Sequence, residues 1–167
     1  EMRITYDDNH IKLYFNSIRK ADVDVNGIKS NDLNDTLIWG LTNSLFPKFM
    51  FKSKNHGGDE EHSYNAYKGI QETIKKYIDD EEQINRFVFL GNRLRNFFDK
   101  ESMEKTLKRQ YKDKIDNESI QKIYNMAMYF NINVLLDSLN IYMLSFAKKM
   151  TYVKPLRAIV ERYYRYN

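Results

Sequence analysis

The densest gathering of chemically capable side chains is the segment HGGDEEH, His56 to His62, which holds two histidines and three carboxylates within seven residues. Imidazoles and carboxylates are hard-to-borderline metal ligands, but the spacing matches no ligand signature. A glycine pair ahead of acidic residues also describes an ordinary surface loop, and neither a metal nor a cofactor is expected. The remaining histidine, His10, falls in a predicted turn with no partner near it in sequence.

Adjacent carboxylates at Asp79, Asp80, Glu81 and Glu82 have the residue types for general acid and base work. They fall at a predicted helix junction, where acidic side chains in a first turn stabilise the helix through its dipole. No Walker loop, GxSxG, HExxH or GxGxxG is found. The expectation is a protein that is not an enzyme.

A third constellation is basic and aromatic: Arg157, Arg162, Tyr163, Tyr164, Arg165 and Tyr166. Interleaved cations and rings suit nucleic acid, with Arg93, Arg95, Lys108, Arg109, Arg162 and Arg165 as phosphate contacts. The same arginines equally describe the wet side of a docking helix.

Charge is unevenly divided. Residues 1–83 carry 11 Lys/Arg against 15 Asp/Glu, and residues 84–167 carry 16 against 8, giving −4 and +8. Cysteine is absent, which excludes disulfides, thiolate metal sites and cysteine nucleophiles and fits an intracellular, cytoplasmic or nuclear setting. No apolar run approaches the roughly 18 residues of a membrane span, and the first residues lack a secretory apolar segment. Richness in Asn, Ile, Lys and Tyr suggests an A/T-rich coding genome, viral or protist.

The elements that must position these residues are expected in one domain over 1–167, since a single core suffices at this length. The predicted class is α+β and mainly helical, a small N-terminal sheet packed on a helical bundle. Short strands are expected within 1–29, at Arg3–Tyr6, Ile11–Phe15 and Ala21–Val25, where β-branched and aromatic residues lie between turn signals.

Over 30–51, Ser30, Asn31 and Asp32 cap a predicted helix bearing Leu33, Leu37, Ile38 and Leu41, followed by an apolar turn around Pro47. Residues 52–62 read as a surface loop, and 63–167 as the bundle. Three- and four-residue steps mark helices at Tyr67–Ile78, Ile84–Phe98, Met103–Tyr111, Ile120–Phe130, Leu135–Ala147 and Pro155–Tyr164. Asn131-Ile132-Asn133 is the expected break between the fourth and fifth.

Residues 112–137, KDKIDNESIQKIYNMAMYFNINVLLD, resemble the Skp/elongin-C adaptors of the BTB (POZ) fold. Ala127, Tyr129, Ile132, Leu135, Leu136 and Asp137 match the family motif without a gap, while Phe130 and Asn131 replace its leucine and aspartate. Met128 stands where the family has a scaffold-facing asparagine, and Phe87 to Tyr111 has no clear counterpart.

The resemblance implies a ubiquitin-ligase substrate adaptor. A cullin scaffold would lie at Tyr129 and Met128, and an F-box-type partner at Leu156, Ile159 and Tyr163. The functional expectation is therefore a protein-interaction module, with no membrane and a homodimer left open. Its alternatives are a helical nucleic-acid-binding protein and a viral helical decoy of host signalling.

Overall fold

The computed structural model describes residues 1–6, 8–16, 19–40, 45–53, 59–78, 99–111 and 114–150. Seven strands come first: β1 (Met2–Tyr6), β2 (Asn9–Phe15), β3 (Lys20–Val25), β4 (Ile28–Lys29), β5 (Asp35–Gly40), β6 (Lys48–Ser53) and β7 (Asp59–Glu60). Four helices follow among the described residues: α1 (Tyr64–Ile74), α2 (Lys100–Gln110), α3 (Asn117–Phe130) and α4 (Ile132–Met150). The strands form one antiparallel sheet in the order β1-β2-β3-β5-β6-β7, with β4 paired to β3 off that path.

The sheet follows from alternation. In β2, Asn9, Ile11 and Leu13 are buried while His10 and Tyr14 are exposed; in β3, Ala21, Val23 and Val25 are buried. Period-2 alternation of this kind gives a sheet one dry face. Register then pairs like with like: Ile11 with Val25, Leu13 with Val23, and Leu37 with Phe51. The ring of Phe15 meets Trp39 edge-on at 5.5 Å and lies parallel to Phe49 at 6.2 Å, closing one corner of that face.

The central helix is α3, which packs against α1, α2, β3 and β4. Ile120, Ile123, Tyr124, Met126, Ala127, Met128 and Tyr129 are all buried, more than one stripe could supply, as expected of a helix covered on several sides. Asp116 caps its start, accepting from the Ser119 N–H at 2.7 Å.

The α+β class holds, but a mainly helical chain with a small sheet is overturned, because the sheet is seven-stranded and runs through residue 60. The helix expected over 30–51 is the β5–β6 hairpin instead. Ser30, Asn31 and Asp32 do not cap a helix. They form a tight turn, with the Asn34 N–H bonded to the Asn31 carbonyl at 3.1 Å and Asn34 at φ 55°. The Ser30 hydroxyl accepts from the Val23 N–H at 3.2 Å.

The loop expected at 52–62 is likewise shorter, since Lys52 and Ser53 end β6 and Asp59–Glu60 form β7. Strands β1 to β3 and helices α1 to α4 fall where the sequence spacing places them, with the α3–α4 break at Asn131. The helices expected at Ile84–Phe98 and Pro155–Tyr164 lie outside the described residues.

Candidate functional site

The surface with most chemical consequence is built by α4. Its first turn is fixed to the sheet by Asn133, a buried side chain that imitates a strand. Asn133 Oδ1 accepts from the Phe49 N–H at 2.8 Å, and its Nδ2 donates to the carbonyls of Phe49 and Glu61, each at 2.8 Å. A primary amide can satisfy both groups of one peptide at once, which locks the helix start to β6. Ile132, Leu135 and Leu136 then enter the core.

Beyond Leu139, which is half-buried, the helix leaves the body. Every residue from Ile141 to Lys149 is exposed, including Ile141 (69%), Tyr142 (69%) and Phe146 (52%), with Met143 and Leu144 also open. Leu45, 59% exposed, sits beside the point of exit, its N–H donating to Asn140 Oδ1 at 2.7 Å. Lys148 and Lys149 occupy the last turn, where cations are favoured by the helix dipole. Single exposed apolar residues are ordinary, whereas these lie together along one helix.

A second feature is a polar cleft of about 760 Å³ where the β1–β2 and β3–β4 turns meet α3 and the start of α2. Asn26, at φ 51° in the two-residue Asn-Gly turn, donates to Asn9 Oδ1 at 2.8 Å and Asn125 Oδ1 at 3.1 Å. Asn9 in turn donates to the Tyr124 hydroxyl at 2.8 Å, and Gln121 to Asn125 at 2.7 Å. This amide network fastens the sheet to α3. Two of its carboxylates have structural work: Asp99 caps α2, and Glu101 pairs with Lys105 at 2.6 Å.

The third feature is a buried carboxylate. Asp35 accepts from the Ser63 hydroxyl and from Asn65 Nδ2 at 2.8 Å, while Ser63 Oγ accepts from the Ala66 N–H at 3.0 Å as the cap of α1. Burial raises the Asp35 pKa, partly offset by these donors. Burial also pushes the Tyr129 hydroxyl up, and the neighbouring Asp35 adds to that. Ser63 is fully buried and engaged on both sides, which suits a joint between β5 and α1 rather than a nucleophile.

The structure separates most residues singled out from sequence. Tyr129 (0% exposed) and Met128 (1%) lie in the core, with the Tyr129 ring edge-on to Phe51 at 5.7 Å, so neither presents a side chain to a partner. That corrects their expected place on a scaffold-facing surface. The reason is the central position of α3, whose faces are covered by α1, α2 and the sheet.

Lys108 and Arg109 are in the last turn of α2, where Lys108 pairs with Glu104 at 2.6 Å and Arg109 is exposed. Leu156, Ile159, Tyr163, Arg93, Arg95, Arg162 and Arg165 lie outside the described residues, as does His56. His62 stacks on Phe130 at 4.6 Å with a ring nitrogen 3.0 Å from the Phe130 carbonyl. Among the described residues no three His, Asp or Glu side chains gather as a metal would need.

The residues missed are Leu45, Ile141, Tyr142 and Leu144. The apolar stripe through Leu139, Met143 and Phe146 is visible in the sequence, and Ile141 and Leu144 off that stripe were the signal that one covered face would not suffice. Among the described residues no helix is long and apolar enough to cross a membrane. No protein-family profile, characterised protein or solved structure matches the chain.

Proposed function

We propose that the chain is a non-enzymatic protein-interaction module, acting in an intracellular compartment, whose contact surface is the distal half of α4 together with Leu45. The observation that carries this is the uninterrupted apolar stripe of α4, buried at Ile132, Leu135 and Leu136 and open at Met143 and Phe146. Fully burying a side chain of this size contributes about 1.5–3 kcal/mol, and a few such anchors dominate the binding energy of an interface. The likeness of 112–137 to ubiquitin-ligase adaptors supports the same class of activity. With Tyr129 and Met128 in the core, a cullin or F-box-type protein would dock on α4 instead.

The test is affinity capture from lysate with the full chain and with a Met143→Glu/Phe146→Glu variant, folding being verified by circular dichroism. A stoichiometric protein held by the parent and lost by the variant is the expected outcome. Identical captured sets from the two baits would refute the reading.

A further inference from the structure

We propose that Asn26 is a deamidation site held unreactive by the fold, and that its conversion irreversibly loosens the joint between the sheet and α3.

The sequence supplies the chemistry. Asn26-Gly27 is the chain's one Asn-Gly pair. A glycine after asparagine leaves the next backbone nitrogen unshielded by any Cβ. That nitrogen can attack Asn26 Cγ: the bond from Gly27 N to Cγ forms, the Cγ–Nδ2 bond breaks, and the proton of the nitrogen leaves with Nδ2 as ammonia. Water then opens the succinimide ring at either carbonyl, giving aspartate or isoaspartate. The step needs water alone.

The fold opposes each requirement of that step. Asn26 at φ 51° and Gly27 at φ 88° form the I′ turn of a two-residue hairpin, with Val25 paired to Ile28 across it. Ring closure needs Asn26 Cβ and the Gly27 nitrogen on the same side of the Cα–C bond, and the left-handed backbone sets them nearly opposite. The nitrogen must also lose its proton. Its N–H donates to Asp24 Oδ1 at 2.8 Å, a carboxylate that disfavours a second negative charge beside it.

The amide under attack is held as well. Asn26 Oδ1 accepts from the His10 N–H at 2.8 Å, while Nδ2 donates to Asn9 Oδ1 at 2.8 Å and Asn125 Oδ1 at 3.1 Å. The Asn26 N–H, bonded to the His10 carbonyl at 2.9 Å, fixes the turn itself. Reaction therefore waits for this corner to open.

The product fits the corner worse than the asparagine. A carboxylate at position 26 has no N–H for Asn9 and Asn125 and sets a negative charge against their oxygens. Asn125 can turn its amide to offer Nδ2, at the loss of its bond from Gln121. Asn9 cannot do so without giving up the Tyr124 hydroxyl, to which its Nδ2 donates at 2.8 Å. Isoaspartate adds a backbone atom to the turn and breaks the register of Val25 with Ile28.

The experiment holds the full chain at mildly alkaline pH, native and in urea, and follows Asn26 by peptide mapping with isoaspartate quantified enzymatically. Native conversion should run at least about tenfold more slowly than conversion in urea, since a reaction through an open form is slowed by the fraction open. Asn125→Ala, which frees one donor of Asn26 at a half-buried position, should raise the native rate severalfold beyond what its change in urea midpoint accounts for. The converted protein, and Asn26→Asp made directly, should both unfold at lower urea than the parent.

Equal rates in the native and unfolded parent would overturn the proposal, whether or not the variants fold. A slow native rate unmoved by Asn125→Ala would refute the part given to the amide network and leave the turn as the protecting element. An unchanged urea midpoint after conversion would refute the loosened joint.

Discussion

One apolar stripe runs the length of α4, yet its two halves have opposite surroundings. From Ile132 to Leu136 it is sealed against the core and tied to β6 by Asn133, while from Ile141 to Phe146 it stands in solvent beside Leu45. Both halves have the residue types and spacing of a core-facing helix. Helical periodicity therefore reports that a face is built to be covered, and the extent of the body decides whether the chain covers it alone.

The sharpest way to break this comparison is to truncate one side chain in each half. Leu136→Ala removes a buried side chain and leaves a cavity, at a cost of about 2–5 kcal/mol, whereas Phe146→Ala changes stability by no more than about 0.5 kcal/mol. Urea denaturation of the two variants measures both. Comparable losses would mean that the distal half is packed in solution, and the proposed surface would fall.

How far the sequence carries this picture depends on whether the deciding contacts are local. Strands β1 to β3 are legible because Ile11, Leu13, Val23 and Val25 alternate with polar neighbours, and α3 because its stripe from Ile120 to Phe130 is local. The β5–β6 hairpin is not, since Leu33, Leu37, Ile38 and Leu41 fit a helical stripe behind a plausible cap. What decides it is remote: Leu37 opposite Phe51, Trp39 opposite Phe49, and Asp35 held by Ser63 and Asn65 from α1. For the site, the stripe itself is readable but its exposure is not. Tyr129 shows the converse, since a motif that suggests a surface residue here fills the space beside Phe51.

A smaller effect follows from pH and acts only on the covered side of the comparison. The folded pKa of Asp35 lies above its unfolded value near 3.9, because burial disfavours the charge. The folded state thus binds its proton more tightly. The associated stability is fully present below the unfolded pKa and is lost as pH rises through the folded one.

Asp116 behaves oppositely. The Tyr77 hydroxyl and the Ser119 N–H lower its pKa to about 2, so its contribution is lost only as pH falls from the usual carboxylate range toward that value. Denaturation between pH 4.5 and 7 isolates Asp35. Over that range the parent should lose stability relative to Asp35→Asn, which has no carboxyl to ionise. A constant difference across the range would remove Asp35 as the titrating group, and amide exchange at 141–149 should be equally protected in both proteins.

The smallest expected effect tests how tightly the covered region is closed. Gly69 lies where α1 crosses α3, and a Cβ there would come within 2.8 Å of both Sδ and Cε of Met126. That is closer than packed atoms tolerate, but the obstacle is the end of a flexible, unbranched side chain rather than backbone. Alanine also has a helix propensity better than glycine by about 1 kcal/mol, which opposes the cost of displacing the methionine. Gly69→Ala should therefore shift stability by no more than about 1 kcal/mol in either direction, whereas Gly69→Val, with a branched side chain against the same methionine, should cost more. If alanine proves as damaging as Leu136→Ala in the same titration, the α1–α3 contact has no slack, and Met126 is held as firmly as the Asn133 clamp holds α4.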